Sequence, residues 1–169
     1  EFRRVLFRSN NDMRLYIVRH GIAESDHPDG DPYRELTETG EKKVERMARF
    51  VKKKINPEVI LTSPYVRAMQ TAEIFSSVLS GNPPVEKTDT LYPGDDPKSV
   101  LFELSSRTEE EILLTGHNPH MEELVRTLLG NAGDAVPLKK GSITCINLDG
   151  DPVHAAGILK WMITPGVIL

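Results

Sequence analysis

Apolar positions along this chain follow two periods. Three short runs are continuous: Leu15-Tyr16-Ile17-Val18, Val59-Ile60-Leu61 and Ile112-Leu113-Leu114. Runs of this length, bounded by polar stretches, read as strands buried on both faces. Between them the apolar residues are spaced as on a helix. Val44, Met47, Ala48, Val51 and Ile55 form one stripe, with Thr37 as its N-cap, Lys52 to Lys54 suited to its C-terminal dipole and Pro57 as its stop. A second helix starts near Pro64 or Tyr65, turns Ala68, Ala72, Phe75 and Leu79 inward, and breaks at Gly81-Asn82-Pro83-Pro84. An extended piece over residues 85–91 and a turn-rich stretch over 92–97 precede a brief helix at 99–104. Met121, Leu124, Val125 and Leu128 mark a further helix, closed by glycines within 130–133. Strands over 142–148 and 155–163 flank the turn Asp149-Gly150-Asp151-Pro152 and predict a hairpin.

This alternation predicts an α/β fold, a three-layer α/β/α sandwich with right-handed crossovers, whose sheet is mostly parallel and ends in an antiparallel C-terminal hairpin. Residues 13–169 hold no internal repeat and no linker, so they are expected to form one domain. Residues 1–12 carry neither period and precede Met13, so a non-native N-terminal tail outside the fold is expected there. Composition narrows the function. The 169 residues are 38% hydrophobic and 27% charged, with a formal net charge of -4, which offers no basic field to attract nucleic acid. No apolar run reaches the ~18 residues of a membrane span. A single cysteine, Cys145, excludes an internal disulfide and any multi-cysteine zinc site; a buried thiol in a reducing cytoplasm is expected.

The candidate chemistry lies where the three strands end. The first runs into Arg19-His20-Gly21, the second into Thr62-Ser63-Pro64 and then Arg67, the third into Gly116-His117-Asn118-Pro119. In an open parallel sheet the carboxyl ends of neighbouring strands face one crevice. Arg19, His20, Arg67 and His117 are therefore expected to meet, with residues 22–35 passing over them as a polar loop. Two arginine forks and two imidazoles around one point suit a phosphoryl group. Cationic neighbours disfavour imidazolium, which leaves His20 neutral and able to attack phosphorus, while His117 is placed to stabilise the transition state. A metal site of His20, His117 and His120 is disfavoured by the two arginines, and a serine nucleophile by the lack of a Gly-x-Ser-x-Gly elbow.

Taken in order, Arg19-His20-Gly21, Arg34-Glu35-Leu36-Thr37 with Gly40, Thr62-Ser63-Pro64 with Arg67, Ala68, Gln70 and Thr71, Gly116-His117-Asn118-Pro119 and Gly157-Ile158-Leu159-Lys160-Trp161 resemble the histidine phosphatase superfamily, with its phosphoglycerate mutase-like fold. The likeness is strongest to its short, cap-less SixA-type phosphohistidine phosphatases. The resemblance implies that His20 is the nucleophile, that Arg19, Arg67 and His117 bind the phosphoryl group, that Gly21, Arg34 and Asn118 join them around the substrate, and that neither metal nor cofactor is needed. One feature departs from the pattern. Where many relatives carry a glutamate acid for an alkoxide leaving group, this chain reads Leu91-Tyr92-Pro93-Gly94, which leaves Glu24 and Asp95 as substitute acids. A weak acid penalises alkyl phosphate monoesters more than phosphohistidine. The expectation is a cytoplasmic, monomeric phosphatase that removes phosphate from a histidine-phosphorylated signalling or phosphotransfer protein through a phospho-His20 intermediate. A small-molecule phosphomonoesterase of the same superfamily is the alternative, and a non-catalytic phosphoprotein-binding module a more distant one.

Overall fold

Six strands form one sheet in the order β3-β2-β4-β1-β5-β6, in a computed structural model that describes residues 12–130, 136–154 and 156–168. The strands are β1 (Asp12–Arg19), β2 (Val59–Thr62), β3 (Val85–Lys87), β4 (Glu111–Gly116), β5 (Ile143–Asp149) and β6 (Ala156–Ile163). β1 to β4 run parallel, whereas β5 and β6 are antiparallel to their neighbours, so the closing hairpin caps one side of a parallel sheet. The helices are α1 (Glu38–Val51), α2 (Val66–Val78), α3 (Pro97–Ser105) and α4 (His120–Leu129).

Strand alternation divides the core into two layers. Leu15 and Ile17 of β1 face one way and pack with Val100, Leu104, Met121, Leu124 and Val125 from α3 and α4. Tyr16 and Val18 face the other way, onto Val44, Met47, Val51 and Phe75 from α1 and α2. With both faces covered, β1 requires the continuous apolar run seen in the sequence. Cys145 belongs to the second layer, and burial pushes its thiol up to about 11.

Local chemistry sets the element ends. The Thr37 hydroxyl accepts from Gly40 N at 3.0 Å and caps α1, and Asp96 caps α3 by accepting from Lys98 N at 2.9 Å. At Gly40 the helix lies so close to the strand-end loop that a Cβ would stand 2.0 Å from the Ile22 carbonyl oxygen. This approach presses the loop after His20 onto α1.

Several boundaries differ from expectation. β1 starts at Asp12, which pairs with Asp149, while the rest of the expected tail lies outside the described residues. The extended stretch after the second helix shortens to Val85–Lys87, because the Thr88 hydroxyl accepts from Thr90 N and curls the chain into a 3-10 turn at Asp89–Leu91. α4 begins at His120, which leaves His117 on the connection that leads out of β4. Part of the predicted glycine stop after α4, residues 131–133, lies outside the described residues, as does Ala155.

Candidate active site

The sheet order places β2, β4 and β1 side by side, so the chemistry-bearing residues leave adjacent strand ends. The ladders run one residue past the strands: His20 N donates to Gly116 O at 2.9 Å and Ser63 N to Thr115 O at 3.0 Å. His20 and His117 thereby meet with ring centroids 5.2 Å apart.

The contacts of His20 assign its ring nitrogens. Nδ1 lies 2.7 Å from the Gly21 carbonyl oxygen, which can only accept, so Nδ1 carries the proton. Nε2 keeps its lone pair and receives Arg67 Nε at 3.3 Å. Burial, and after it the charges of Arg67, Arg19 and Lys140, lower the imidazole pKa to about 4, against the pull of the Gly21 carbonyl. The neutral ring expected from sequence is present, but burial dominates and the cationic neighbours come second. A neutral imidazole whose second nitrogen carries a lone pair and no proton is a nucleophile ready at neutral pH.

His117 is buried, with Nε2 2.8 Å from Ser63 Oγ and its ring edge-on to Tyr65 at 5.1 Å. Burial, then His20 and Arg67, push its pKa down to about 3. Its Nδ1 is buried without a partner, as is Nε of Arg19. Buried polar atoms without a partner are costly in a finished fold, and these two belong to residues of the expected phosphoryl site. Arg19 is otherwise held by Nη1 on Leu138 O at 2.8 Å.

Arg67 is tied down from both ends. The Thr71 hydroxyl donates to the Arg67 carbonyl at 2.7 Å and accepts from Gly21 N at 3.2 Å, which joins α2 to the strand-end loop. At the other end the guanidinium donates to Asp31 O at 2.8 Å and to Asp31 Oδ2 at 3.1 Å. The same carboxylate takes Arg34 Nη1 on Oδ1 at 2.7 Å, and the two arginines hold its pKa below the usual value. Residues 22–35 do cross the site, and Asp31 is the point at which they touch it.

Gly21 holds the His20 ring through its carbonyl, and the other sequence candidates have partners of their own. Arg34 fastens the loop, with Nε on Glu24 O at 2.6 Å. Asn118 spends its amide N–H groups on Glu122 Oε1 at 2.8 Å and Leu138 O at 3.1 Å. Glu24 Oε2 accepts from Glu35 N at 3.2 Å, and Asp95 Oδ1 from Asp96 N at 2.9 Å. Both candidate acids thus hold loop backbone, and the Asp95 charge acts on His120. Sequence reasoning did not single out Asp31, Tyr65 or a role for Ser63. Ser63 stood inside a quoted motif, but its bond to His117 joins residues far apart in the chain. Among the described residues, no group of three or more His, Cys, Asp or Glu is placed to hold a metal ion. No helix among them is long and apolar enough to cross a membrane.

Comparison with known proteins places this geometry in context. The model of the histidine phosphatase superfamily (branch 1) matches residues 15–92. The chain is 30% identical over 158 residues to the phosphohistidine phosphatase SixA of Escherichia coli, covering 90% of this chain and 94% of SixA. It is 34% identical over 143 residues to an uncharacterised protein of Picosynechococcus, covering 78% and 82% of the two chains. The structure of the protein histidine phosphatase SixA complexed with tungstate superposes with a TM-score of 0.83 at 28% identity, covering 91% of this chain and 98% of the other.

Proposed function

The chain belongs to the histidine phosphatase superfamily, and from that premise we propose that it removes the phosphoryl group from phosphohistidine on a signalling or phosphotransfer protein, in the cytoplasm and as a monomer, with His20 as the covalent carrier. The family makes the protein a phosphatase. The observation that carries the finer reading is the tautomer of His20: Nδ1 is bound to the Gly21 carbonyl, which leaves the Nε2 lone pair beside Arg67 and His117.

In this mechanism Nε2 of His20 attacks phosphorus in line with the departing nitrogen. A P–Nε2 bond forms and the P–N bond of the substrate breaks, its electron pair staying on the leaving imidazole. Arg67, Arg19 and His117 receive the equatorial oxygens. Water then attacks the phospho-His20 intermediate, breaking the P–Nε2 bond and releasing phosphate. A leaving imidazole that already carries a proton on its other nitrogen departs neutral, so no strong acid is needed. This fits the commitment of Glu24 and Asp95 to loop backbone. The kinship with SixA, a phosphohistidine phosphatase, supports the same substrate.

The test is phosphate release, measured side by side from a histidine-phosphorylated phosphotransfer domain and from a small phosphomonoester, with His20→Ala as control. Faster turnover of the phosphoprotein, lost in the variant, is expected. Turnover of the monoester alone would transfer the chemistry to metabolite dephosphorylation.

A further inference from the structure

One flank of the crevice carries charge that the phosphoryl chemistry leaves unused. A cleft of about 670 Å3 opens beside the end of β1, lined by Arg19, by Lys43 of α1, by Lys139 and Lys140, and by the turn at Thr164 to Gly166. No carboxylate lines it. None of the ion pairs among the described residues engages Lys43, Lys139 or Lys140, whereas Lys42, the neighbour of Lys43, is paired with Glu38. In a chain of net charge -4, the convergence of four cations, of which Arg19 alone feels a nearby carboxylate, Glu122 behind the cleft wall, is a local reversal of sign.

The lysines are also held in place relative to the nucleophile. Gly141 N donates to the carbonyls of Arg19 at 3.0 Å and His20 at 3.1 Å. Leu138 N donates to Glu122 Oε1 at 2.9 Å, and Leu138 O accepts from Arg19. Lys139 and Lys140 therefore sit on a segment fastened at both ends, one side of it on the backbone of the nucleophile itself. Arg19 belongs to both the cleft and the phosphoryl site, so an occupant of one adjoins an occupant of the other.

We propose that this cleft docks acidic side chains flanking the phosphohistidine of a protein substrate. The proposal rests on the phosphohistidine reading above and names the surface chemistry of the partner. Cations drawn from three separate segments, around a space many times the volume of one carboxylate, match several anionic side chains on a protein surface better than the second charge of a small metabolite.

The test uses two synthetic peptides with a central phosphohistidine, one flanked by glutamates and one by serines, at low and high salt. Wild-type protein is compared with Lys43→Ala/Lys139→Ala, a variant that spares Arg19 and Lys140. We expect wild type to favour the acidic peptide by about five- to tenfold in kcat/KM, through KM, as two exposed ion pairs would give. Salt should erase that preference. The variant should lose it while turning over the serine peptide at the wild-type rate. Equal preference in variant and wild type would overturn the docking site and leave the phosphohistidine chemistry standing. A matching loss on both peptides would overturn it too, since the cations would then serve the phosphoryl group itself. Failure of wild type on both peptides, with turnover of a monoester, would remove the phosphohistidine reading and the docking site with it.

Discussion

Replacing Asp31 with alanine separates what the loop does for the fold from what it does to the substrate. In the ligand-free structure the Asp31 carboxylate bridges Arg67 Nη2 at 3.1 Å and Arg34 Nη1 at 2.7 Å. Its side chain is 52% exposed, so each pair is worth a few tenths of a kcal/mol to about 1 kcal/mol, and losing both should lower stability by at most about 2 kcal/mol. A phosphoryl oxygen that takes the same N–H of Arg67 Nη2 must first displace this carboxylate. Removing it lifts a cost of about 1 kcal/mol, which is about fivefold in affinity. The assay is titration of wild type and Asp31→Ala with phosphate or tungstate by calorimetry, alongside urea denaturation. Tighter oxyanion binding, with stability lowered by no more than about 2 kcal/mol, is the expected result. Unchanged or weaker binding would refute the reasoning, because it would mean that the carboxylate does not compete for Arg67 or that it helps to hold the ligand.

Acid should destabilise the fold through its two buried imidazoles. The folded-state pKa values of His20, about 4, and His117, about 3, lie below the ordinary 6.5, so the unfolded chain binds more protons as pH falls through 6.5. Stability present above pH 6.5 is then lost progressively toward pH 4, by about 3 kcal/mol from His20 alone; urea midpoints that stay level from pH 7 to pH 5 would contradict this. Gly40→Ala should cost about 3 kcal/mol in chemical denaturation, because its Cβ meets a backbone carbonyl and not a side chain that can swing away. A near-neutral result there would mean that the loop after His20 does not rest on α1.

The strands were legible because burial on both faces leaves a continuous apolar run, as in Leu15-Tyr16-Ile17-Val18, and the strand ends were legible because the polar chemistry begins abruptly at Arg19 and His117. From those two facts and the rule for parallel sheets, the convergence of His20, Arg67 and His117 followed. Asp31 was not legible. It is one of several acids in residues 22–35, and nothing periodic distinguishes it from Asp26 or Asp29; only the folded loop brings it to Arg67. Asn118 shows the converse. Adjacency to His117 drew it into the expected substrate set, and the fold adds what adjacency could not show: its amide N–H groups are held by Glu122 and Leu138 while its Oδ1 is buried without a partner. For His20 the neutral state was read correctly, but its leading cause, burial, arises only in the folded chain and cannot be read from the neighbouring Arg19.

The central claim is that phosphate passes through His20. The direct measurement is rapid mixing of the protein with a histidine-phosphorylated domain, alkaline quenching and mass spectrometry of the peptide that spans residues 13–34. The account predicts a phosphoryl group on His20 that survives alkali and is lost in acid, and that is missing from His20→Ala. Steady turnover with His20 unmodified at every time, or an acid-stable phosphoryl group on Ser63, would contradict it.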